Sequence, residues 1–152
     1  CYFDYRITRL PVYDPDTPEK AADLVANLAE ADYVILSSSR LHGVIPRLPE
    51  RYPDTARYYR RLFAEELGYE LVHYEAAYPR VLGWDLVHDV LGRAALPAPR
   101  LYAEGEAGRQ AVRLGRADES FFVYDHPTPL IFRRTEPVSA EEMRRGLDGQ
   151  TD

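Results

Sequence analysis

The chain is poor in cysteine and in lysine. Its single cysteine, Cys1, has no second cysteine to pair with, so no intrachain disulfide can form and cysteine content does not indicate the redox compartment. A first-position cysteine would also suit a lipid anchor, but we favour the simpler interpretation that Cys1 marks a fragment boundary inside a longer gene. Lys20 is the only lysine among the basic residues, a bias from which we infer no function.

Two further absences narrow the class of protein. The 19 basic residues are outnumbered by 25 acidic ones, and the net charge is -6. Without a basic cluster dense enough to neutralise phosphates, we expect no nucleic-acid partner. The longest apolar runs, residues 33–36 and 121–124, are far shorter than the roughly 18 residues that a membrane span needs. The sequence therefore predicts that residues 1–152 fold as one soluble domain.

The clearest secondary-structure signal is a helix near the amino terminus. Its apolar residues recur on one face of a 3.6-residue period: Ala21, Leu24, Val25, Leu28 and Ala29. Asp16 or Thr17 is expected to cap this helix, with Pro18 in its first turn. An edge strand is predicted before it, at 2–8, and a buried strand after it, at 33–37. A helix followed by a buried strand is typical of an α/β layer.

The middle of the chain continues this alternation. A proline-broken loop is expected at 38–53, a helix at 54–67 that ends before Gly68, and a strand at 69–78. Along the second helix, Tyr59 is expected to face the core. Three arginines are expected on its solvent side, Arg57, Arg60 and Arg61. A sugar-binding face could be built from such residues, but a solvated face is the simpler interpretation.

The last third is less regular. Residues 92–116 are rich in glycine and proline, and we interpret them as a partly mobile insertion. A hairpin is predicted at 121–134, and capping-box spacing from Ser139 predicts a short helix at 139–147 that Gly146 closes. The whole pattern predicts a single α/β domain with a mixed sheet of about four or five strands, packed helices and a C-terminal antiparallel hairpin.

Two groups of polar residues are candidates for a site. Asp14 and Asp16 have the Asp-x-Asp spacing that can hold a divalent cation against a diphosphate, but helix capping by Asp16 accounts for the same spacing and we favour it. The second group follows the predicted buried strand and consists of Ser37, Ser38, Ser39 and Arg40. Open α/β sheets place ligands at this end of a strand, and hydroxyls with a guanidinium could hold a phosphate or a sugar.

Neither group is accompanied by the other parts of a catalytic site. The four histidines lack metal-ligand spacing, and no Gly-x-Ser-x-Gly elbow singles out a nucleophile. No glycine-rich phosphate loop precedes a helix. The sequence therefore predicts no metal site, no cofactor and no catalytic residue, and leaves ordinary loop capping as the alternative for residues 37–40.

Four segments resemble one family of membrane proteins. They are residues 13–20 (YDPDTPEK), 31–40 (ADYVILSSSR), 48–63 (LPERYPDTARYYRRLF) and 123–133 (VYDHPTPLIFR). In this order they resemble the extracytoplasmic tail of multipass glycosyltransferases of the dolichyl-phosphate-mannose mannosyltransferase and aminoarabinose transferase type, and of the related "YYY" membrane proteins. The resemblance lapses at 92–116.

The resemblance implies a domain on the extracytoplasmic side, tethered through the membrane-spanning part of the same polypeptide. In such proteins the catalytic carboxylate and the lipid-phosphate contacts lie in loops near the membrane spans. The chain alone is therefore expected to be inactive, and the full-length protein to be a glycosyltransferase that uses a lipid-phosphate sugar. The reading frame upstream of Cys1 is expected to encode several apolar segments of about 20 residues.

The domain would then cover the membrane part, assist recognition of a glycan or lipid-linked sugar, or stabilise the assembly. Two alternatives stay open. One is a free-standing α/β ligand-binding module or small enzyme that uses the loop from Ser37 to Arg40. The other is a protein-interaction domain, which would show an apolar patch beside residues 41–53.

Overall fold

Helices and strands alternate along most of the chain in the computed structural model, which describes residues 4–76, 78–114 and 128–148. The helices are α1 (Pro18–Glu30), α2 (Pro53–Phe63), α3 (Val90–Arg93), α4 (Arg100–Ala107) and α5 (Ala140–Asp148), with a short 3-10 helix at Ile45–Arg47. The strands are β1 (Tyr33–Leu36), β2 (Tyr69–Tyr74), β3 (Arg80–Val81), β4 (Trp84–His88), β5 (Ala111–Leu114) and β6 (Leu130–Arg134). The predicted α/β class is confirmed.

The strands of the described residues form two sheets of three, where the sequence predicted one sheet of four or five. The first sheet has the order β1-β6-β2, and β6 pairs antiparallel with both neighbours. The second has the order β3-β4-β5, with β3 antiparallel and β5 parallel to β4. Alternation of apolar residues predicts that a segment is a strand, but it does not select the partner strand. That is why the division into two sheets was not predicted.

The main core lies between the first sheet and the longer helices. The predicted apolar face of α1 is buried at Leu24, Val25 and Leu28. On α2, Tyr59 is buried as predicted, but Tyr58 is buried as well. Helix α2 packs against both the 3-10 helix and α5, so two of its faces are covered. Its arginines are correspondingly less exposed than predicted.

Those arginines hold neighbouring loops in place. The guanidinium of Arg57 donates to the backbone carbonyl of Leu147, and that of Arg60 donates to the carbonyl of Pro46 at 3.1 Å. Arg57 and Arg61 are only partly exposed. The prediction of three solvent-facing arginines on α2 is therefore correct for Arg60 alone.

Several predicted boundaries are corrected. Residues 4–8 have no strand structure, α2 ends at Phe63 rather than near 67, and β2 ends at Tyr74 rather than 78. The last helix begins with the predicted capping box, in which the hydroxyl of Ser139 donates to the Glu142 carboxylate at 2.7 Å. It continues through Gly146 to Asp148, because a glycine without a left-handed backbone does not stop a helix.

Two predictions concern segments that are only partly described. The expected insertion at 92–116 holds α4 and β5 within its described part. The first arm and the start of the turn of the predicted hairpin at 121–134 lie outside the described residues, as does Cys1. The second arm is β6, the central strand of the first sheet.

Candidate functional site

A buried ion pair joins the first two helices. Nζ of Lys20 donates to Asp16 Oδ1 at 2.8 Å, to Thr55 Oγ1 at 2.7 Å and to the carbonyl of Asp14 at 2.6 Å. Asp16 Oδ2 accepts hydrogen bonds from the backbone amides of Asp54 and Thr55, at the start of α2. Asp16 therefore caps a helix, as predicted, but that helix is α2 and not α1. Thr17 caps α1, accepting a hydrogen bond from the Lys20 amide.

This network occupies both carboxylate oxygens of Asp16, so Asp16 is not free to share a metal with Asp14. Burial alone would raise the pKa of Asp16, but the hydrogen bonds from Lys20, Thr55 and Asp54 lower it overall. The carboxylate is therefore ionised at neutral pH, and both of its oxygens are already occupied. Within the described part of the chain, no group of three or more His, Cys, Asp or Glu side chains is arranged to hold a metal ion.

The predicted ligand loop follows β1, as expected, but its four residues do not act together. Ser37 and Arg40 are exposed, Ser38 is half-buried, and Ser39 is buried. The chain turns sharply here, since the Gly43 amide donates to the Ser39 carbonyl at 2.8 Å. A Cβ on Gly43 would lie 2.7 Å from that carbonyl oxygen, so the turn requires a glycine. Of the four predicted residues, Ser39 lines a cavity.

That cavity, called here the Ser39 cavity, lies between the loop after β1 and the second sheet. Its volume is about 30 Å³, enough for roughly two or three water molecules. Sites for sugars and nucleotides are roughly 300 Å³ or larger. It is lined by Ser39, His42, Tyr78, His88, Val90, Leu91, Tyr102, Thr128 and Leu130.

Two of the lining groups are imidazoles in different surroundings. His42 packs against the ring of Phe63, with ring centroids 5.2 Å apart, and burial lowers its pKa to about 4. It is therefore neutral at physiological pH. Nε2 of His88 lies 3.2 Å from a guanidinium nitrogen of Arg93. Because a guanidinium can only donate, His88 Nε2 acts as an acceptor, and the proton of the neutral ring is assigned to Nδ1.

The chemistry available in the Ser39 cavity is hydrogen bonding to a small polar molecule. The hydroxyls of Tyr78 and Tyr102 are 3.4 Å apart, and burial raises the pKa of both phenols. Among the described residues that line the cavity none is acidic.

A charged network adjoins the cavity on the far side of Tyr78. Asp85 is buried and accepts from Arg80 at 2.8 Å and from Arg109 at 2.9 Å, hydrogen bonds that lower the pKa of its carboxyl group. Arg109 also donates to Glu106 at 3.1 Å and lies over the ring of Tyr78. Each charge has a partner of opposite sign, as is usual for a structural network.

No sequence motif indicated these groupings. His42 and His88 are far apart in the chain and come from a loop and from the end of β4. Asp85 and Arg109 are 24 residues apart and meet because β4 lies beside β5. A motif search reads residues at short spacings, so it can find Asp14 and Asp16 but not clusters assembled by strand pairing. Only the parallel pairing of β4 with β5 would have indicated them.

Comparison with known proteins returned no match: no protein-family model, no curated protein and no solved structure is similar to this chain. Over the described residues, no helix has both the length and the apolar character needed to cross a bilayer.

Proposed function

We propose that this chain is a non-catalytic extracytoplasmic domain of a membrane-embedded glycosyltransferase that uses a lipid-phosphate sugar. One observation carries the proposal. Two of the segments that resemble such proteins, 13–20 and 48–63, meet in the buried network of Asp16, Lys20 and Thr55. Their polar residues are occupied in joining α1 to α2, which suits a domain whose motifs maintain structure.

Two further observations support a role without catalysis. The Ser39 cavity has room for only a few water molecules, far less than a sugar site needs. The carboxylates of Asp16 and Asp85 are both held by basic partners. Transfer from a lipid-borne donor needs a carboxylate base beside that donor, and the membrane-spanning part of the same polypeptide would supply it.

The proposal is tested by the reading frame that contains this chain. We expect it to continue upstream of Cys1 into several apolar segments of about 20 residues, with acidic residues in loops close to a predicted span. A frame that starts within a few residues of Cys1, or that adds only a cleaved signal peptide, would contradict the proposal.

An activity assay makes the same test biochemically. Membranes that contain the full polypeptide should transfer sugar from a polyprenyl-phosphate donor, whereas the isolated chain should not. Calorimetric titration of the isolated chain with manganese should show no micromolar binding. Micromolar binding that is lost in Asp14→Ala would contradict this part of the proposal.

A second candidate is a free-standing binding module, favoured by one observation: Ser39, from the predicted ligand loop, shares a cavity with His42 and His88. Such a module would bind a small polar ligand at this place. Inorganic phosphate and free mannose are suitable probes, followed by changes in amide chemical shifts. Saturable shifts near Ser39 that disappear in Ser39→Ala would favour this candidate, and the exposed Ser37→Ala is the matched control.

A further inference from the structure

Polar side chains from three segments of the chain meet in the Ser39 cavity. Ser39 and His42 come from the loop after β1, Tyr78 from the segment before β3, and Tyr102 from α4. Three aliphatic residues also line the cavity, Val90, Leu91 and Leu130. The cavity can therefore offer hydrogen bonds from several parts of the fold.

The imidazole of His42 is deeply buried there. The residue is 3% exposed, and its ring centroid lies 5.2 Å from that of Phe63 and 6.4 Å from that of Tyr59. The residues that the structure describes form no hydrogen bond with either ring nitrogen of His42. A neutral imidazole has one N–H donor and one nitrogen acceptor, and each is destabilising when it is buried without a partner. A small hydrogen-bonding molecule in the cavity would remove this cost.

The hydroxyl groups of the cavity are also incompletely paired. The Tyr78 and Tyr102 hydroxyls are 3.4 Å apart, whereas an O–H···O hydrogen bond is usually about 2.7–2.8 Å long. Only one of the two can donate to the other, so the second proton needs a different acceptor. Ser39 is 8% exposed, and within the described ranges its hydroxyl has no hydrogen bond. Each of these groups can form a further hydrogen bond.

The volume of the cavity is suited to water. About 30 Å³ is available, and one buried water molecule needs about 10–15 Å³ on this measure. Such a water makes about three hydrogen bonds to buried polar groups that lack other partners. A cavity lined by aliphatic groups alone stays dry, but this one is lined by imidazole and hydroxyl groups as well.

We propose that the Ser39 cavity is a hydration site, in which roughly two or three ordered water molecules join the loop after β1 to α4 and to the segment before β3. One water bonds to a ring nitrogen of His42, and the others extend the cluster to the hydroxyls of Ser39, Tyr78 and Tyr102. The inference does not rest on the proposed function. It sets a condition on the binding-module candidate, because a ligand at this place would have to displace these waters and replace their hydrogen bonds.

Tyr58 provides an internal control for this argument. Its hydroxyl is buried without a hydrogen-bond partner among the described residues, but Tyr58 does not line the Ser39 cavity. Removing a hydroxyl that has no partner is neutral or stabilising, whereas removing one that binds an ordered water takes a partner from that water. Tyr58→Phe and Tyr102→Phe should therefore differ in their effect on stability.

A high-resolution crystal structure of the 152-residue chain tests the proposal directly. We expect electron density for separate water molecules in the cavity, one of them about 2.7–3.2 Å from a ring nitrogen of His42. In crystals of Tyr102→Phe, the water nearest position 102 should be lost or displaced. Pressurising the crystals with xenon tests the opposite outcome, because xenon binds dry apolar cavities. Xenon or a bound solute in the cavity, or no density for water there, would overturn the proposal.

Thermal melts at neutral pH test the proposal in solution. Ser39→Ala and Tyr102→Phe should each lower the melting temperature by about 2–4 °C, because each removes one hydrogen bond to water. Ser37→Ala is the matched control for the serine variant, since Ser37 is exposed, and Tyr58→Phe is the control for the tyrosine variant. Neither control should lower the melting temperature. An unchanged or raised value in either cavity variant would mean that the deleted hydroxyl does not bind water, and the proposal would be wrong.

Discussion

Lys20 is the only lysine of the chain, and it is buried. Its ammonium group has three oxygen partners, and the ring of Tyr52 lies 5.6 Å away. A buried charge is tolerated only when its partners replace the water that it loses, and here the partners of this α1 residue come from α2 and from the segment before α1. One side chain therefore fixes the relative position of three parts of the chain.

Replacing Lys20 by methionine should be strongly destabilising. The substitution keeps the apolar stem but leaves the buried carboxylate of Asp16 without its cation, which costs about 3–5 kcal/mol in comparable sites. Arg6→Met is the matched control, because Arg6 forms an exposed ion pair with Glu30 and should change stability by less than about 1 kcal/mol. Denaturant unfolding at neutral pH gives both values. Similar losses in the two variants would contradict the buried role of Lys20.

Because of His42, the free energy of unfolding should depend on pH in the mildly acidic range. Burial lowers its folded pKa from 6.5 to about 4, so the unfolded chain takes up this proton first as pH falls. The stability that the neutral His42 ring contributes is fully present above pH 6.5 and is lost progressively as the pH falls to about 4. The shift corresponds to a loss of about 3 kcal/mol.

The measurement is the free energy of unfolding across that pH range. His42→Leu should flatten the pH dependence, because it removes the buried imidazole. The pKa of Asp16 is lowered below 3.8, so the stability that it contributes is lost only at lower pH. An unchanged slope in His42→Leu would show that another group titrates.

At the scale of elements, helices and strands were predicted best from the sequence where one face of the segment is buried. The apolar period of α1 and the short apolar run of β1 identified both correctly, because burial on one side fixes such patterns. The prediction from sequence failed at 92–116, where the glycine content was interpreted as a sign of a loop. Gly105 lies inside α4, and a Cβ there would collide with the hydroxyl of Tyr74 on β2. A glycine that permits close packing cannot be distinguished from a flexible one by sequence alone.

This contact predicts an unusual response to alanine. In an unconstrained helix Gly→Ala stabilises by up to about 1 kcal/mol, but Gly105→Ala should destabilise by about 1–3 kcal/mol through overpacking against Tyr74. The ring of Tyr74 packs on Tyr102, with centroids 5.0 Å apart, so it cannot swing away without loss. Gly108→Ala is the control, since no atom lies within 4 Å of its added Cβ. Thermal melts that rank Gly105→Ala above the unmodified chain would refute this packing.

At the scale of the whole molecule, the two sheets differ in how they are held. The first sheet contributes Val34, Tyr69 and Phe132 to the main core. In the second sheet Val87 is buried but stands outside that core, and the short strands β3 and β5 form its edges. The candidate site lies between them, because the Ser39 cavity takes residues from the loop after β1 and from β4. That placement follows from tertiary packing, so the sequence could indicate Ser39 but not its neighbours.

This difference predicts that the second sheet opens first. Local opening costs less free energy where fewer apolar contacts are lost, so the backbone amides of Asp85 and Leu86 should exchange with solvent through an opening cheaper than global unfolding. Both amides are hydrogen-bonded, to the carbonyls of Gln110 and Pro79 at 3.0 and 2.8 Å. The Arg134 amide, bonded to the Asp32 carbonyl at 2.9 Å in the first sheet, is the matched control and should exchange only on global unfolding. Native-state hydrogen exchange in low denaturant measures both free energies. Equal values would mean that the two sheets unfold as one unit.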